Sequence, residues 1–165
     1  RWRQCCRPFG KSGIGVHAKT RVFLDSSVLF ATVWSESDGS RLILKLGEVR
    51  AVSLWVGPCV LQEAEAVLKR KSPESLPQMA LLLHRARVKV GPEAGTHALA
   101  QAQSAVEYGP DAQVLAEALE LDVEYLVSLD RQHLVGNPGT IDLPLEVGTP
   151  GQFLEWYRQR LAPEE

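Results

Sequence analysis

The chain of 165 residues contains only three cysteines and one methionine, and it has no long uninterrupted apolar segment. Three cysteines are too few for the disulfide framework of a small secreted domain. No Cys-x-x-Cys pair occurs, and none of the four histidines lies near a cysteine that would complete a zinc site. No segment approaches the ~20 apolar residues that span a bilayer. These absences predict a soluble, cytoplasmic domain without structural zinc or disulfides.

Excess charge is also lacking, since the formal net charge is only -2, but the charges are unevenly distributed. Residues 1–20 carry five basic side chains and no acidic one, whereas the other 145 residues carry 13 basic and 20 acidic side chains. A protein that holds nucleic acid by charge alone has a basic body. We therefore expect a basic, flexible extension over residues 1–20, ahead of a body in which carboxylates can cluster.

The pattern of apolar residues predicts an α/β fold. Short apolar runs typical of buried strands occur at 21–24, 49–56, 88–90, 125–129 and 141–147. Segments with helical periodicity lie between these runs, and a last helix is predicted over 149–161 with Thr149 as its cap. Strands that alternate with helices of ten or more residues indicate βαβ units and a parallel sheet. The length fits a single domain.

Four acidic residues occupy positions where a parallel sheet places its ligand sites. Asp25 and Asp130 each follow an apolar strand, Asp111 opens a helix, and Glu63 lies in the first turns of another helix. Ligands of open parallel sheets bind beyond the carboxyl ends of the strands, so these side chains are candidates for one shared pocket. Glu65 fits the same helix as well as Glu63 does, and periodicity does not choose between them.

A cluster of these acids requires a neutralising group. Two carboxylates about 4 Å apart repel by roughly 4 kcal/mol at an effective dielectric of 20, so protons or a cation must offset the charge. Oxygen ligands without a Cys/His set suit a hard cation, Mg²⁺ or Mn²⁺. Such an ion activates water and stabilises charge on a phosphate oxygen. The cluster therefore predicts phosphoryl chemistry.

Each acid also has an ordinary structural explanation when it is considered alone. Asp25 and Asp111 suit helix starts, where a side-chain oxygen caps the helix or complements its dipole. Asp130 suits a turn after a strand, and Glu63 suits a solvated helix face. His133, three residues beyond Asp130, is close enough in sequence to approach a substrate, but the prediction for it is an exposed loop residue. Only the joint placement of the acids distinguishes a site from these alternatives.

The same residues resemble a known family. The segments are 22–29 (VFLDSSVL), 58–63 (PCVLQE), 111–119 (DAQVLAEAL) and 125–131 (YLVSLDR). In this order, across about residues 21 to 160, they resemble a PIN domain and most of all its VapC-like branch of toxins. The resemblance implies a three-layer α/β/α sandwich with a mainly parallel central sheet. It assigns residues 21–161 to a PIN-like nuclease domain and leaves 162–165 as a tail.

The resemblance also implies a function, a metal-dependent endoribonuclease. Asp25, Glu63, Asp111 and Asp130 would bind Mg²⁺ or Mn²⁺ directly or through water, and Ser128 would hydrogen-bond an acid or a phosphate. A metal-activated water would attack the RNA phosphodiester and leave a 5′-phosphate and a 3′-hydroxyl. The family further implies a homodimer and a small antitoxin protein as partner, so that the chain would be the toxin of a toxin–antitoxin pair.

One position departs from the family pattern and keeps two alternatives open. The family commonly has Asp-Thr-Asn after its first strand, whereas this chain has Asp25, Ser26 and Ser27. Ser26 keeps the hydroxyl as a supporting group, but Ser27 lacks the amide that orients the acids, and a weakened supporting shell costs about 10–100-fold in metal affinity or activity. One alternative is a PIN-like scaffold that binds RNA or protein without cutting. The other is a phosphatase of the haloacid-dehalogenase type, which usually requires a second Asp at the position of Ser27.

Overall fold

The computed structural model describes residues 18–36 and 38–162. The predicted N-terminal extension, up to residue 17, and the end of the predicted tail, residues 163–165, lie outside the described residues. Within them, none of the helices is both long and apolar enough to pass through a bilayer.

Strands and helices alternate along the described chain, as the apolar pattern predicts. The strands are β1 Arg21–Leu24, β2 Ser53–Val56, β3 Lys89–Val90, β4 Tyr125–Val127 and β5 Glu146–Gly148. The α-helices are α1 Ser26–Trp34, α2 Gly39–Glu48, α3 Pro58–Lys71, α4 Leu76–Arg85, α5 Thr96–Ala105, α6 Gly109–Glu120 and α7 Pro150–Leu161. Two short 3-10 turns cover Pro73–Ser75 and Pro138–Thr140.

The five strands form one sheet in the order β3-β2-β1-β4-β5, and every pair in it is parallel. Helices surround this sheet, so the predicted three-layer α/β/α sandwich is confirmed. In the central strand, Phe23 pairs with Trp55 of β2 on one side and with Leu126 of β4 on the other. The chain adds β2 and β3 on one side of β1 and then crosses to β4. The strand order therefore reverses between β1 and β4, and a crevice at their carboxyl ends is the expected ligand site.

The central strands are buried on both faces, which explains why they are apolar without alternation. Val22, Phe23 and Leu24 in β1 and Leu126 and Val127 in β4 are all fully buried. A rigid pair of strands therefore ends at the crevice, and it fixes the position of the first residues that follow each strand.

Three predicted strands are longer than the structure allows. The run 49–56 becomes a strand only from Ser53, because Val49 caps α2 and Arg50 turns the chain with a φ of 62°. The run 141–147 joins the sheet only as β5, which starts at Glu146, and Ile141 is 78% exposed. β4 ends at Val127, two residues before the predicted end. In each case apolar residues continue beyond the backbone pairing that defines the strand.

The last helix begins as predicted. The Thr149 side chain accepts a hydrogen bond from the backbone N–H of Gln152, and the Gln152 side chain accepts one from the N–H of Thr149. This capping box satisfies two donors that a helix start would otherwise leave unpaired. It places α7 against the sheet, with Phe153 fully buried and packed edge-on against Tyr125 of β4.

Candidate metal centre

Asp25 is the first residue after β1 and lies at the crevice between β1 and β4. Its Oδ1 accepts the backbone N–H of Ser26 at 2.8 Å and caps α1. Its Oδ2 accepts the hydroxyls of Ser27 at 2.8 Å and Ser128 at 2.7 Å. Asp25 is only 5% exposed. The capping role and a place in the acidic cluster therefore belong to the same side chain, and neither excludes the other.

Two serines connect the end of β1 to the segment after β4. The buried Ser128 donates its proton to Asp25 and accepts the backbone N–H of Asp130 at 3.0 Å. Ser27 donates to Asp25 and accepts the backbone N–H of Leu129 at 3.0 Å. Ser27 is the position that departs from the family pattern, yet its hydroxyl contacts the acid directly. The Ser27 hydroxyl therefore makes the contact with the acid that the family's asparagine amide would otherwise make.

Glu63 faces Asp25, and Glu65 does not. The Glu63 Oε2 accepts the hydroxyl of Ser26 at 2.7 Å, and the same hydroxyl lies 3.5 Å from Asp25 Oδ1. Glu65 is more than half exposed and pairs with Lys69 at 3.8 Å on the outer face of α3. Of the two candidates in this helix, the structure brings Glu63 to the cluster.

Asp111 and Asp130 meet at His133. The Oδ2 atoms of the two aspartates each lie 3.1 Å from His133 Nδ1, and each of the three residues offers a ligand atom within 4.8 Å of those of the other two. Asp130 Oδ1 accepts the backbone N–H groups of Gln132 at 2.8 Å and His133 at 3.0 Å, which closes the turn after β4. His133 lies in a loop as predicted, but the prediction that it is exposed was wrong, because this turn folds its side chain back and leaves it only 30% exposed.

The acids share one electrostatic environment. The pKa of Asp111 is raised from 3.8 to about 6, chiefly by burial and then by the charge of Asp130, with smaller increases from Asp25 and Glu63 and an opposing effect of His133. Burial also acts to raise the pKa of Asp130, but its hydrogen bonds from His133 and Gln132 outweigh it and leave that pKa below its ordinary value. The four predicted acids are therefore close enough to influence one another.

The residues at this edge fit a divalent metal ion. Asp111 Oδ2 is buried and receives no hydrogen bond from any residue that the structure describes. Its near neighbour, His133 Nδ1, carries at most one proton, and it is aligned with Asp130 Oδ2 instead. Like charges packed together with an unsatisfied acceptor form an arrangement that a cation would stabilise. Carboxylate oxygens and an imidazole nitrogen are suitable ligands for such an ion.

Sequence reasoning missed a fifth acid at this edge of the sheet. Glu117 of α6 is 1% exposed, and its Oε1 accepts the backbone N–H of Cys59 in the first turn of α3 at 3.1 Å. The carboxylate packs directly against Gly57, where any Cβ would collide with Oε2, and burial raises its pKa. Helical periodicity does indicate that Glu117 is buried, because it follows Val114 by three residues and therefore lies on the same buried face of α6.

Sequence patterns indicate the roles of Ser27 and His133 in the site only weakly. Serine in a helix start and histidine in a polar turn are common, and neither spacing nor polarity separates a ligand-facing side chain from a solvated one. Their contacts depend on how α1 and α6 pack beside the end of β4, which is a property of the tertiary structure.

Comparison of the chain with models of protein families gives no match. Comparison with curated protein sequences also finds no match. The functional inference for this protein therefore depends on the residues and geometry of the site.

Replacing Asp111 by asparagine is expected to stabilise the metal-free protein at pH 8. Because the pKa of Asp111 is about 6 in the folded protein and 3.8 in the unfolded chain, the free energy of unfolding is highest below pH 3.8. It falls as the pH rises through 6 and the buried carboxyl loses its proton. Asparagine mimics the protonated form at every pH. We expect Asp111→Asn to raise the melting temperature in EDTA by about 2–4 °C at pH 8, or ~1 kcal/mol after solvent screening, and by less as the pH falls toward 4.

The control for this measurement is Asp142→Asn, which removes an exposed carboxylate from the loop before β5. Its melting temperature should follow that of the unmodified protein at each pH. A lower melting temperature for Asp111→Asn at pH 8 would show that ionised Asp111 stabilises the fold, contrary to this assignment.

Proposed function

We propose that this protein is a divalent-metal-dependent endoribonuclease of the PIN-domain type, which hydrolyses RNA phosphodiesters. The observation that carries the proposal is the convergence of Asp25, Glu63, Asp111 and Asp130 at the crevice between β1 and β4, where the strand order reverses. The four residues come from four separate elements of the chain. A local role explains individual acids, such as the helix cap for Asp25 and the turn for Asp130, but local roles do not explain why the four share one electrostatic environment.

The side chains of this chain supply the ligands and hold them in place. Asp111 and Asp130 direct one oxygen each toward a common point, and Ser27 and Ser128 hold the Asp25 carboxylate in one orientation. When bound, Mg²⁺ or Mn²⁺ lowers the pKa of water and stabilises negative charge on the phosphate. Because uncompensated carboxylates repel RNA phosphates, productive substrate binding should require the cation. The expected products carry a 5′-phosphate and a 3′-hydroxyl.

The resemblance to VapC-like toxins extends the proposal to partners. It supports a homodimer that acts on RNA in the cytoplasm and an antitoxin protein that obstructs the acidic crevice. The supporting observation on this chain is limited to the crevice itself, which lies at the surface and holds partly exposed acids.

The contacts of Ser27 favour this function over both alternatives. A non-catalytic scaffold was suggested by the missing amide at this position, but the Ser27 hydroxyl links Asp25 to the backbone of Leu129. A haloacid-dehalogenase type phosphatase needs an acid here to protonate the leaving group. Ser27 has a hydroxyl in place of that acid, and its one proton is donated to Asp25.

The decisive assay is cleavage of an end-labelled single-stranded RNA by the full chain in EDTA, in Mg²⁺ and in Mn²⁺, beside hydrolysis of an aryl phosphate ester. We expect RNA cleavage only with metal, 5′-phosphorylated products, and no turnover of the ester. Ester hydrolysis would point to the phosphatase. Folded protein that binds RNA but cuts it in neither metal would point to the scaffold.

A further inference from the structure

His133 occupies the position of a ligand in the site described above. Its Nδ1 lies 3.1 Å from Asp111 Oδ2 and 3.1 Å from Asp130 Oδ2. A single N–H on Nδ1 satisfies one carboxylate, and the structure aligns it with Asp130. Asp111 Oδ2 is then left buried beside the nitrogen, without a hydrogen bond from the described residues. One divalent ion between the three atoms would satisfy all of them in the neutral tautomer that carries its proton on Nε2, because Nδ1 then has a free lone pair.

The distances match the edges of a coordination polyhedron. Two ligand atoms at right angles around an octahedral ion, each at about 2.1 Å, lie about 3.0 Å apart. Both separations between Nδ1 and an aspartate oxygen are 3.1 Å. His133 Nδ1 and each aspartate oxygen therefore have the spacing of neighbouring ligands around one ion.

One contact orients the imidazole ring, and another fixes the backbone that carries it. Its face stacks on Tyr108, the residue before α6, with a centroid separation of 4.6 Å and an interplanar angle of 16°. The backbone carbonyl of His133 accepts the side-chain amide of Asn137 at 2.7 Å. A ligand that is already oriented loses less conformational freedom on binding.

We propose that His133 Nδ1 is a direct ligand of the divalent ion, and that this nitrogen makes the site select first-row transition ions such as Mn²⁺ and Co²⁺ over Mg²⁺. The inference rests on the proposed function for the existence of the metal centre. It adds a ligand to the four acids and a preference among cations. The reason is chemical: Mg²⁺ takes oxygen ligands, whereas an imidazole nitrogen contributes more to binding first-row transition ions.

The test uses the full chain labelled with ¹⁵N-histidine and loaded with Mn²⁺. Pulsed electron paramagnetic resonance should detect a ¹⁵N coupling to the bound ion, and the coupling should disappear in His133→Gln. The matched control is His97→Gln. His97 is exposed near the start of α5. Gly95, two residues before it, contacts Glu120 at the far end of α6 from Asp111. The control should keep the coupling.

Equilibrium titrations of the same variants measure the preference. His133→Gln should weaken Mn²⁺ and Co²⁺ binding about tenfold or more and change Mg²⁺ binding by less than about threefold, because glutamine offers only an oxygen ligand in its place. The spectrum of the unmodified protein is informative even if the variant folds poorly.

The outcomes separate this inference from the proposed function. Bound Mn²⁺ without a ¹⁵N coupling, or with a coupling that survives in His133→Gln, overturns the role of His133 even if RNA is cleaved. A coupling that depends on His133 in a protein that cleaves no RNA supports the ligand and rejects the nuclease. Failure of the unmodified protein to bind Mn²⁺ at all overturns both.

Discussion

Asp25→Asn is expected to abolish metal-dependent RNA cleavage while the protein remains folded. The substitution removes the negative charge from the carboxylate that three hydrogen bonds hold at the end of β1. Loss of one charged ligand from a site of this kind removes several kcal/mol of transition-state stabilisation. We expect the cleavage rate at saturating Mn²⁺ to fall about 10³-fold, equivalent to ~4 kcal/mol.

The fold should survive because asparagine can keep most of these contacts. Its carbonyl oxygen can accept the N–H of Ser26 and preserve the helix cap, as Asn and Asp are comparable capping residues. Its amide then faces the hydroxyls of Ser27 and Ser128, which can rotate to accept. The expected loss of stability is about 1 kcal/mol, the net worth of one rearranged hydrogen bond.

The matched control is Asp142→Asn, an exposed aspartate in the loop that leads into β5 at the opposite edge of the sheet. It should cleave RNA at the rate of the unmodified protein. Cleavage by Asp25→Asn at more than about a tenth of that rate would place the reaction elsewhere on the molecule, since a supporting role alone costs about tenfold.

Ser128→Ala is expected to weaken both metal binding and cleavage about 10–100-fold, the range for groups that orient metal ligands. Ser128 is fully buried and bridges Asp25 Oδ2 to the backbone of Asp130 at 2.7 and 3.0 Å. Alanine leaves the N–H of Asp130 without this acceptor and frees one oxygen of Asp25 to rotate. The measurement is the Mn²⁺ dissociation constant together with the cleavage rate.

Two further variants show whether the hydroxyl is responsible. Ser128→Thr keeps it and should retain metal affinity within about threefold of the unmodified protein, with some loss of stability from the added methyl group. Ser53→Ala removes a serine from the first position of β2, at the amino ends of the strands and away from the crevice, and should have no effect on metal binding. Unchanged Mn²⁺ affinity in Ser128→Ala would remove Ser128 from the site.

Local pattern predicted the elements of this fold better than their lengths. Periodicity and turn residues are properties of neighbouring residues, so the segments 21–24 and 149–161 could be recognised directly. Strand ends depend on backbone pairing with a distant strand. The apolar residues at 141–145 satisfy the pattern of a strand, but β5 pairs with β4 only from Glu146 onward. No local signal contains that information.

Some residues of the candidate site could likewise be identified from the sequence, and others only from the tertiary structure. Asp25 and Asp130 could be named because a strand end is visible in the sequence and parallel strands end at one edge. Glu63 and Glu65 could not be separated, because each borders the same helix face. The contact with Ser26 and the exposed pair with Lys69 distinguish them. Both contacts depend on how α3 packs beside α1.

The sequence by itself determined the class of fold, which follows from the order of the apolar runs, and the acids at the strand and helix ends led to the metal-dependent chemistry that we propose. Only the tertiary structure decided the composition of the site. It brought His133 between Asp111 and Asp130, used Ser27 to link Asp25 to the segment after β4, and buried Glu117 against Gly57. Contacts of a few ångströms between site residues up to 103 positions apart arise from packing, which sequence spacing does not encode.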